Sequence, residues 1–484
     1  MGIVTKQTFQ NILIIGIAFA FGGLNTLVFY PAFLSAEAYG LVVFLLATSN
    51  LLMPLIGFGI HQTIIRYYSS YPTKEMQDRF LSAVILIPLF VALLIGAICI
   101  IFYHAIVNSL AIENPIISDY TWVIFVVAIA TAYFEVFYAW ARVQLQSVIG
   151  NALKEIFPRL FLFFLLIAVY FLQLTFEQFI VVLVIGYYLR LFLMILLANH
   201  YYPIRIRLHF PSNMRSILIY ATTIVLAAFA GSLILDIDKF MIPQLQEIQQ
   251  TAFYAVAIFA ATLVEVPARA MTQILNPFVA TAINDNNTGE VNHLYQKSAL
   301  NLVIVSGWIF LVINLNSEAL FSLLPDAGYQ TATAVVLYIS LAKLITMIFG
   351  CGNAIISNSS FYQITLVFSI AMALGVTALN IMWIPLYGID GAALATLVVI
   401  GASVVLKMIY LYFKIKAHPF SWNLWKTLIV VALLFVAFQK LSFNMSPILQ
   451  IILTSTLVSV LYIATVIQFK LSNDLLRLWR HLLK

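Results

Sequence analysis

Uninterrupted apolar runs of about 20 residues recur from one end of the chain to the other, and no other feature limits its fold as severely. The run from Phe80 to Tyr103, FLSAVILIPLFVALLIGAICIIFY, is one, and Pro447 to Phe469 is another. Each can cross a hydrocarbon core of roughly 30 Å as a helix. They are apolar on every face, whereas the strands of a membrane barrel read as alternating segments of about ten residues. The 484 residues are 63% hydrophobic and only 9% charged, against roughly a quarter charged in soluble domains. The fold class is therefore an all-α polytopic membrane protein.

Fourteen transmembrane helices are expected, at about 9–30, 38–60, 80–103, 120–142, 156–173, 177–199, 213–235, 251–275, 298–320, 331–356, 361–384, 391–413, 427–445 and 447–469. Lys and Arg in the short connections orient them. One side receives Lys6, Arg66, Lys74, Arg79, Arg142, Lys154, Arg159, Arg205, Arg207, Arg215, Lys297, Lys414, Lys416, Lys426, Lys470, Arg477, Arg480 and Lys484. The other receives only Lys239 and Lys440, with carboxylates such as Glu37, Glu113, Asp119, Glu247, Asp326 and Asp390. Both termini are therefore expected in the cytoplasm, with Phe9 to Tyr30 an uncleaved first span. The net charge of +6 follows from topology-determining residues that face anionic lipid, and calls for no nucleic acid. Cys99 and Cys351 both fall inside apolar runs, which suggests neither a disulfide scaffold nor a metal site.

A weak internal repeat organises the spans. YPAFLSAEAYGLVVFLLA, ending span one and forming span two, aligns with IPQLQEIQQTAFYAVAIFAA, ending span seven and forming span eight. With a three-residue insertion, Pro31 meets Pro243, Tyr39 meets Tyr254 and Phe44 meets Phe259. Six spans per copy is an even number, so the copies run parallel, related by an axis along the membrane normal. The expected organisation is an N-terminal six-helix lobe over 1–212, a C-terminal six-helix lobe over 213–426, two further helices over 427–469 and a basic cytoplasmic tail over 470–484.

Four stretches carry a family resemblance: GLNTLVFYPAFLSAEAYGL, GFGIHQTIIRYYSSY, LLPDAGYQTATAVVLYI and, above all, LNIMWIPLYGIDGAALATLVV from Leu379 to Val399. In the last, Asn380, Pro385, Tyr387, Gly388 and Gly391-Ala392-Ala393 stand in register with the family pattern. The chain resembles the multidrug, oligosaccharidyl-lipid and polysaccharide exporter superfamily, and within it the polysaccharide biosynthesis proteins that act as O-antigen-type flippases. That resemblance implies two lobes around a central cleft that rock to change access. It also implies translocation of an undecaprenyl-diphosphate-linked oligosaccharide across the bacterial cytoplasmic membrane, with other polysaccharide-assembly membrane proteins as candidate partners. The alternative is a drug or small-solute exporter coupled to protons or sodium; no other cofactor is implied. On the residues themselves, Pro385 ends one helix, Gly388 frees a turn and the small residues after it allow close packing, so a tight outer hairpin is expected.

Ionisable residues inside a bundle usually face a cavity or a partner, which makes them the candidate substrate-binding residues. Glu265 and Arg269 lie four apart in span eight, in the favourable order for an intrahelical pair, so pairing and transport both remain open. Glu135 stands among Tyr133, Phe134, Phe137, Tyr138 and Trp140, either as a surface suited to sugar rings or as part of an interfacial aromatic belt. Arg66 ends span two where the family often carries a basic residue, although positive-inside anchoring also explains it; Arg190 is near enough to the inner face to snorkel. In LILDIDKFMI, Asp236, Asp238 and Lys239 are either solvated loop charges or the outer rim of the cleft, where Lys239 could meet an anionic head group and the carboxylates could serve cation coupling. Lys343 lies about twelve residues, some 18 Å, into span ten. No carboxylate shares that span, so its host is either Glu135 or Glu265 on another helix, or a wet cleft in which it acts as counter-charge to a diphosphate.

Enzyme classes find little support. Phosphate-binding glycine loops, zinc-ligand clusters and nucleophilic triad signatures are missing, and the seven histidines are scattered. A glycan polymerase or ligase generally needs a sizeable external domain, and the longest outer connection runs only from Ala105 to Asp119. The orientation is directly testable. Reporters active only outside the cytoplasm should be active after Asp119, Glu247 or Asp326 and silent after Lys74, Arg207 or Lys416. Activity at two of the latter three would reverse the topology.

Overall fold

The structure, a computed structural model, describes residues 3–203, 205, 211, 213–439, 441 and 445–472. Of the residues used above for orientation, Arg207, Lys440, Arg477, Arg480 and Lys484 lie outside these, as does the side chain of Lys6. Among the described residues the chain is helical throughout, with no strand. Its helices include α1 (Ile3–Leu24), α2 (Ala36–Gly57), α3 (Ile60–Tyr67), α4 (Lys74–Ile101), α5 (Ile117–Val143), α6 (Val148–Leu172), α7 (Phe176–Tyr201) and α8 (Met214–Leu245). They continue with α9 (Gln249–Thr262), α10 (Val266–Asn284), α11 (Thr288–Phe321), α12 (Thr333–Ile348), α13 (Gly352–Asn358), α14 (Ile364–Ile415), α15 (Trp422–Phe438) and α16 (Pro447–Gln468). Among the described residues, twelve helices are long and apolar enough to span a membrane, and α15 is a shorter apolar helix of 17 residues.

Helix starts are written in local chemistry. Ser35, Thr73, Asn287 and Ser421 each accept a backbone N–H of the first turn they precede. Thr175 and Gln178 form a reciprocal capping box at the start of α7. These side chains take up amide donors that would otherwise lack partners.

The chain forms two compact units, Met1–Ala252 and Phe253–Lys484. In the first, α2 packs on α5 and α8, α5 on α7, and α1 on α6. Its core draws Phe134, Trp140, Phe80 and Met194 together, all at most 1% exposed. Gly40 of α2 permits a contact that any larger residue would forbid, because a Cβ there would stand 2.1 Å from the Ile248 carbonyl oxygen. The same corner is tied by Asn114, which donates to the carbonyls of Pro243 (2.7 Å) and Gln246 (2.9 Å) and accepts from the Ile248 N–H (2.9 Å). In the second unit, α11 is the central helix, packed on α10, α12, α15 and α16.

Two sequence expectations change. Helix α8 does not end near residue 235 but continues to Leu245, so Asp236, Asp238 and Lys239 are helical and not loop residues. Pro243 withholds the N–H that would reach the Lys239 carbonyl, and Asn114 takes up the carbonyls of Pro243 and Gln246. At the end of α2, Phe58 (φ 45°) and Gly59 (φ 64°) break the helix, and α3 restarts with Arg66 in its last turn.

The expected hairpin in α14 is present. The helical path breaks at Gly388, with φ 59° and ψ −138°, a conformation that side chains bearing a Cβ rarely adopt. The two arms then fold back on one another. A Cβ on Gly391 would lie 2.2 Å from the Trp383 carbonyl oxygen, and one on Gly375 3.3 Å from a Val399 methyl; both pairs are symmetric about residue 387. Gly391→Ala should therefore lower the melting temperature and the yield of monodisperse protein, by about 1–3 kcal/mol or more of stability. Gly16→Ala, where a Cβ meets nothing within 4 Å, should be neutral or slightly stabilising. Equal behaviour of the two variants would contradict the close approach.

Candidate functional site

Each unit carries a cavity lined by charged side chains drawn from helices of membrane length. The cavity of the first unit measures ≈ 450 Å³ and lies among α2, α5, α6 and α7. Its charged lining is Glu135 of α5, Lys154, Glu155 and Arg159 of α6, and Arg190 of α7. Lys154 Nζ meets Glu135 Oε1 at 2.7 Å, and Arg159 Nη1 meets Glu155 Oε2 at 2.9 Å. Pro158 sits inside α6 and withholds a backbone donor. Asn25, in a π-helical turn after α1, donates to the Arg159 carbonyl at 2.7 Å and fixes that stretch from outside the helix.

Arg190 is the least solvated of the three cations, 6% exposed. Its guanidinium lies 4.3 Å from the centre of the Phe134 ring and 5.1 Å from that of Tyr187. Snorkelling to an interface is thus not its role; the cation is held inside the unit on aromatic faces. The aromatic cluster around Glu135 is likewise no open platform. Phe134, Phe137, Tyr138 and Trp140 are all buried in the core, while Glu135 faces the cavity. Helical spacing sends neighbours in sequence to different faces.

The second unit's cavity, ≈ 330 Å³, is lined by Glu265, Arg269, Thr272, Asn276, Thr346 and Asn353 among others. Glu265 and Arg269 both border it, but the carboxylate of Glu265 pairs with Lys343 of α12 at 2.5 Å. The cause is local. Residues Leu263–Glu265 form a 3-10 turn, and the helix restarts at Val266–Pro267, so no single α-helix carries both residues in its interior. Among the described residues no ion pair joins Arg269 to Glu265, and Arg269 is exposed.

The other candidates stand apart from these cavities. Lys239 pairs with Asp236 at 2.6 Å within α8 and also donates to the Leu235 carbonyl at 3.1 Å. Asp238 is buried, 6% exposed. Arg66 lies exposed with its guanidinium 4.2 Å from the centre of the Tyr220 ring. Sequence reasoning treated Lys154 and Arg159 as topology markers only, and missed that they face Glu135 and Glu155 inside a cavity. The i, i+4 spacing of Glu155 and Arg159 was the one available signal.

The fold and its charged interior define a polytopic helical membrane protein, and the comparisons give it a family. Residues 4–283 match the family described as polysaccharide biosynthesis protein, and the chain belongs to that family. A structure of the lipid II flippase MurJ in an inward closed conformation superposes with a TM-score of 0.75 at 14% identity, covering 96% of this chain and 99% of that one. An inward-facing multidrug resistance MATE family transporter of the MOP superfamily gives 0.64 at 14% identity, over 83% and 94%. A MOP superfamily transporter from Pyrococcus furiosus gives 0.56 at 13% identity, over 85% and 96%. The chain thus has the fold of the MOP superfamily. No curated protein matches it.

If the Lys343–Glu265 pair is a structural unit, Lys343→Met and Glu265→Gln should each reduce folded protein in size-exclusion profiles, by about 3–5 kcal/mol equivalent, because each strands a partly buried charge. The double variant should recover much of the loss. Additive losses would show that the two charges do not depend on each other.

Proposed function

We propose that the protein is a flippase that carries an undecaprenyl-diphosphate-linked oligosaccharide from the cytoplasmic to the outer leaflet by alternating access. The observation that carries this reading is the pair of charge-lined cavities, one in each unit, within helices otherwise suited to lipid. Charges at such depth are kept for a substrate path or a partner. Membership of the polysaccharide biosynthesis family supports a glycan cargo, and the likeness to a protein described as a lipid II flippase supports a lipid-linked one.

In this reading the chain crosses the membrane fourteen times, α14 counting as two spans about Gly388 and α15 as one. Both termini are cytoplasmic, and the functional lobes are 1–212 and 213–426. The glycan and diphosphate pass through the polar interior while the lipid tail stays in the bilayer. Lys343 releases Glu265 and takes the diphosphate as its counter-charge. Glu135, Arg66 and Arg269 contribute further polar contacts; Lys239, with Asp236 and Asp238, guards the outer mouth or couples a proton or sodium ion. The likeness to multidrug resistance transporters favours a second reading, cation-coupled export of a drug or small solute.

A deletion strain separates the two. A lipid-linked oligosaccharide should accumulate on the inner leaflet; unchanged lipids with new drug sensitivity would favour the exporter. In reconstituted vesicles Lys343→Arg should keep substantial flipping, and Lys343→Gln should lose most of it at equal amounts of folded protein. Wild-type flipping by the Gln variant would remove Lys343 from the mechanism.

A further inference from the structure

The charges lining the first unit's cavity do not balance. Two carboxylates, Glu135 and Glu155, face three cations, and the partnerships are already assigned to Lys154 and Arg159. Arg190 is left over. Among the described residues it has no ion pair, and its buried Nε has no hydrogen-bond acceptor. A second cavity-lining group, the buried hydroxyl of Thr131, is also without a partner. An unsatisfied donor of this kind is costly when nothing occupies the space before it. The guanidinium lies over the faces of Phe134 and Tyr187, which attract the cation but offer no lone pair to its N–H groups.

We propose that this cavity is an oxyanion site, in which Arg190, with Thr131 and the Lys154 ammonium, binds a phosphate-class group. A planar guanidinium presents paired N–H donors that match two oxygens of one phosphate, which a halide cannot exploit. The space of ≈ 450 Å³ holds a diphosphate together with part of an adjoining sugar. Glu135 competes with the anion for Lys154 and must yield as it enters. Naming a diphosphate as the natural group rests on the flippase reading above; the oxyanion site itself does not.

The test is titration calorimetry of the purified full-length protein with inorganic diphosphate, with chloride as the contrasting anion. Diphosphate should bind, and chloride should compete weakly. Arg190→Gln should weaken binding by on the order of tenfold or more, and Arg190→Lys, which keeps the charge but loses the fork, should also weaken it. Glu135→Gln should tighten binding, because it removes a repelling carboxylate and frees Lys154; a merely structural role for Arg190 predicts no such gain. This last variant decides the matter where Arg190→Gln fails to fold. Absence of diphosphate binding by the wild type, unchanged binding by a folded Arg190→Gln, or no tightening in Glu135→Gln would each overturn the site. Repeating the titration in bilayers with and without anionic phospholipid identifies the source of the group, since competition marks a lipid head group as its occupant. A protein that binds diphosphate through Arg190 yet flips no lipid-linked oligosaccharide keeps this site and loses the flippase reading.

Discussion

An amide placed in hydrocarbon without a partner costs several kcal/mol, and that single constraint shapes the whole molecule. It explains why the described residues are helical, since a helix satisfies its own backbone. It also reaches the side chains. Thr48, Ser49, Thr121 and Thr377 return their hydroxyls to the carbonyl four residues earlier, so each of these polar atoms is used within its own helix. At the end of α8, Asn114 collects three backbone groups around residues 243–248, and Asn25 turns its amide to the Arg159 carbonyl of α6.

Packing follows from the same constraint. Burying apolar surface gives little drive between helices already in lipid, so contact depends on how closely backbones approach. The glycines at 40 and 391 lie against carbonyl oxygens of neighbouring segments at distances no Cβ could tolerate. The hairpin about Gly388 adds a backbone conformation reserved in practice for glycine. Its close approach therefore relies on Gly375, Gly388 and Gly391.

Much of this was legible in the sequence, and the reasons are local. Apolar runs mark helices because length against bilayer thickness is a one-dimensional property, and Pro385, Gly388 and Gly391 mark a hairpin because turn chemistry acts over a few residues. The candidate site was less legible because its partnerships are not local. Glu265 looked toward Arg269 on the assumption of one continuous helix, and the 3-10 turn at Leu263–Glu265 gave the carboxylate to Lys343 instead. The aromatic residues beside Glu135 are its neighbours in sequence but not on its face. Arg190 reads the same in sequence whether it snorkels or is enclosed, and only its place in the middle of α7, on the Phe134 and Tyr187 rings, decides between the two. The end of α8 is tied by Asn114, more than a hundred residues away in the chain.

Paired charges and an unpaired one have different uses in a membrane interior. A pair such as Lys154–Glu135 or Lys343–Glu265 can persist when nothing is bound, because each partner offsets the desolvation of the other. Breaking it for an incoming anion exchanges one carboxylate for another oxyanion, so the net cost is the difference between two similar interactions. An enclosed arginine has no such resting partner, and a guanidinium does not escape the penalty by losing its proton. Aromatic faces soften that penalty without removing it. In the proposed flippase, a cation kept in this state favours whichever conformation admits an anion, and the free energy of that preference is available to drive the proposed change of access. On that proposal, exchangeable pairs and one standing cation together permit binding that is selective for negative charge and still reversible, which a carrier requires and a purely structural bundle does not.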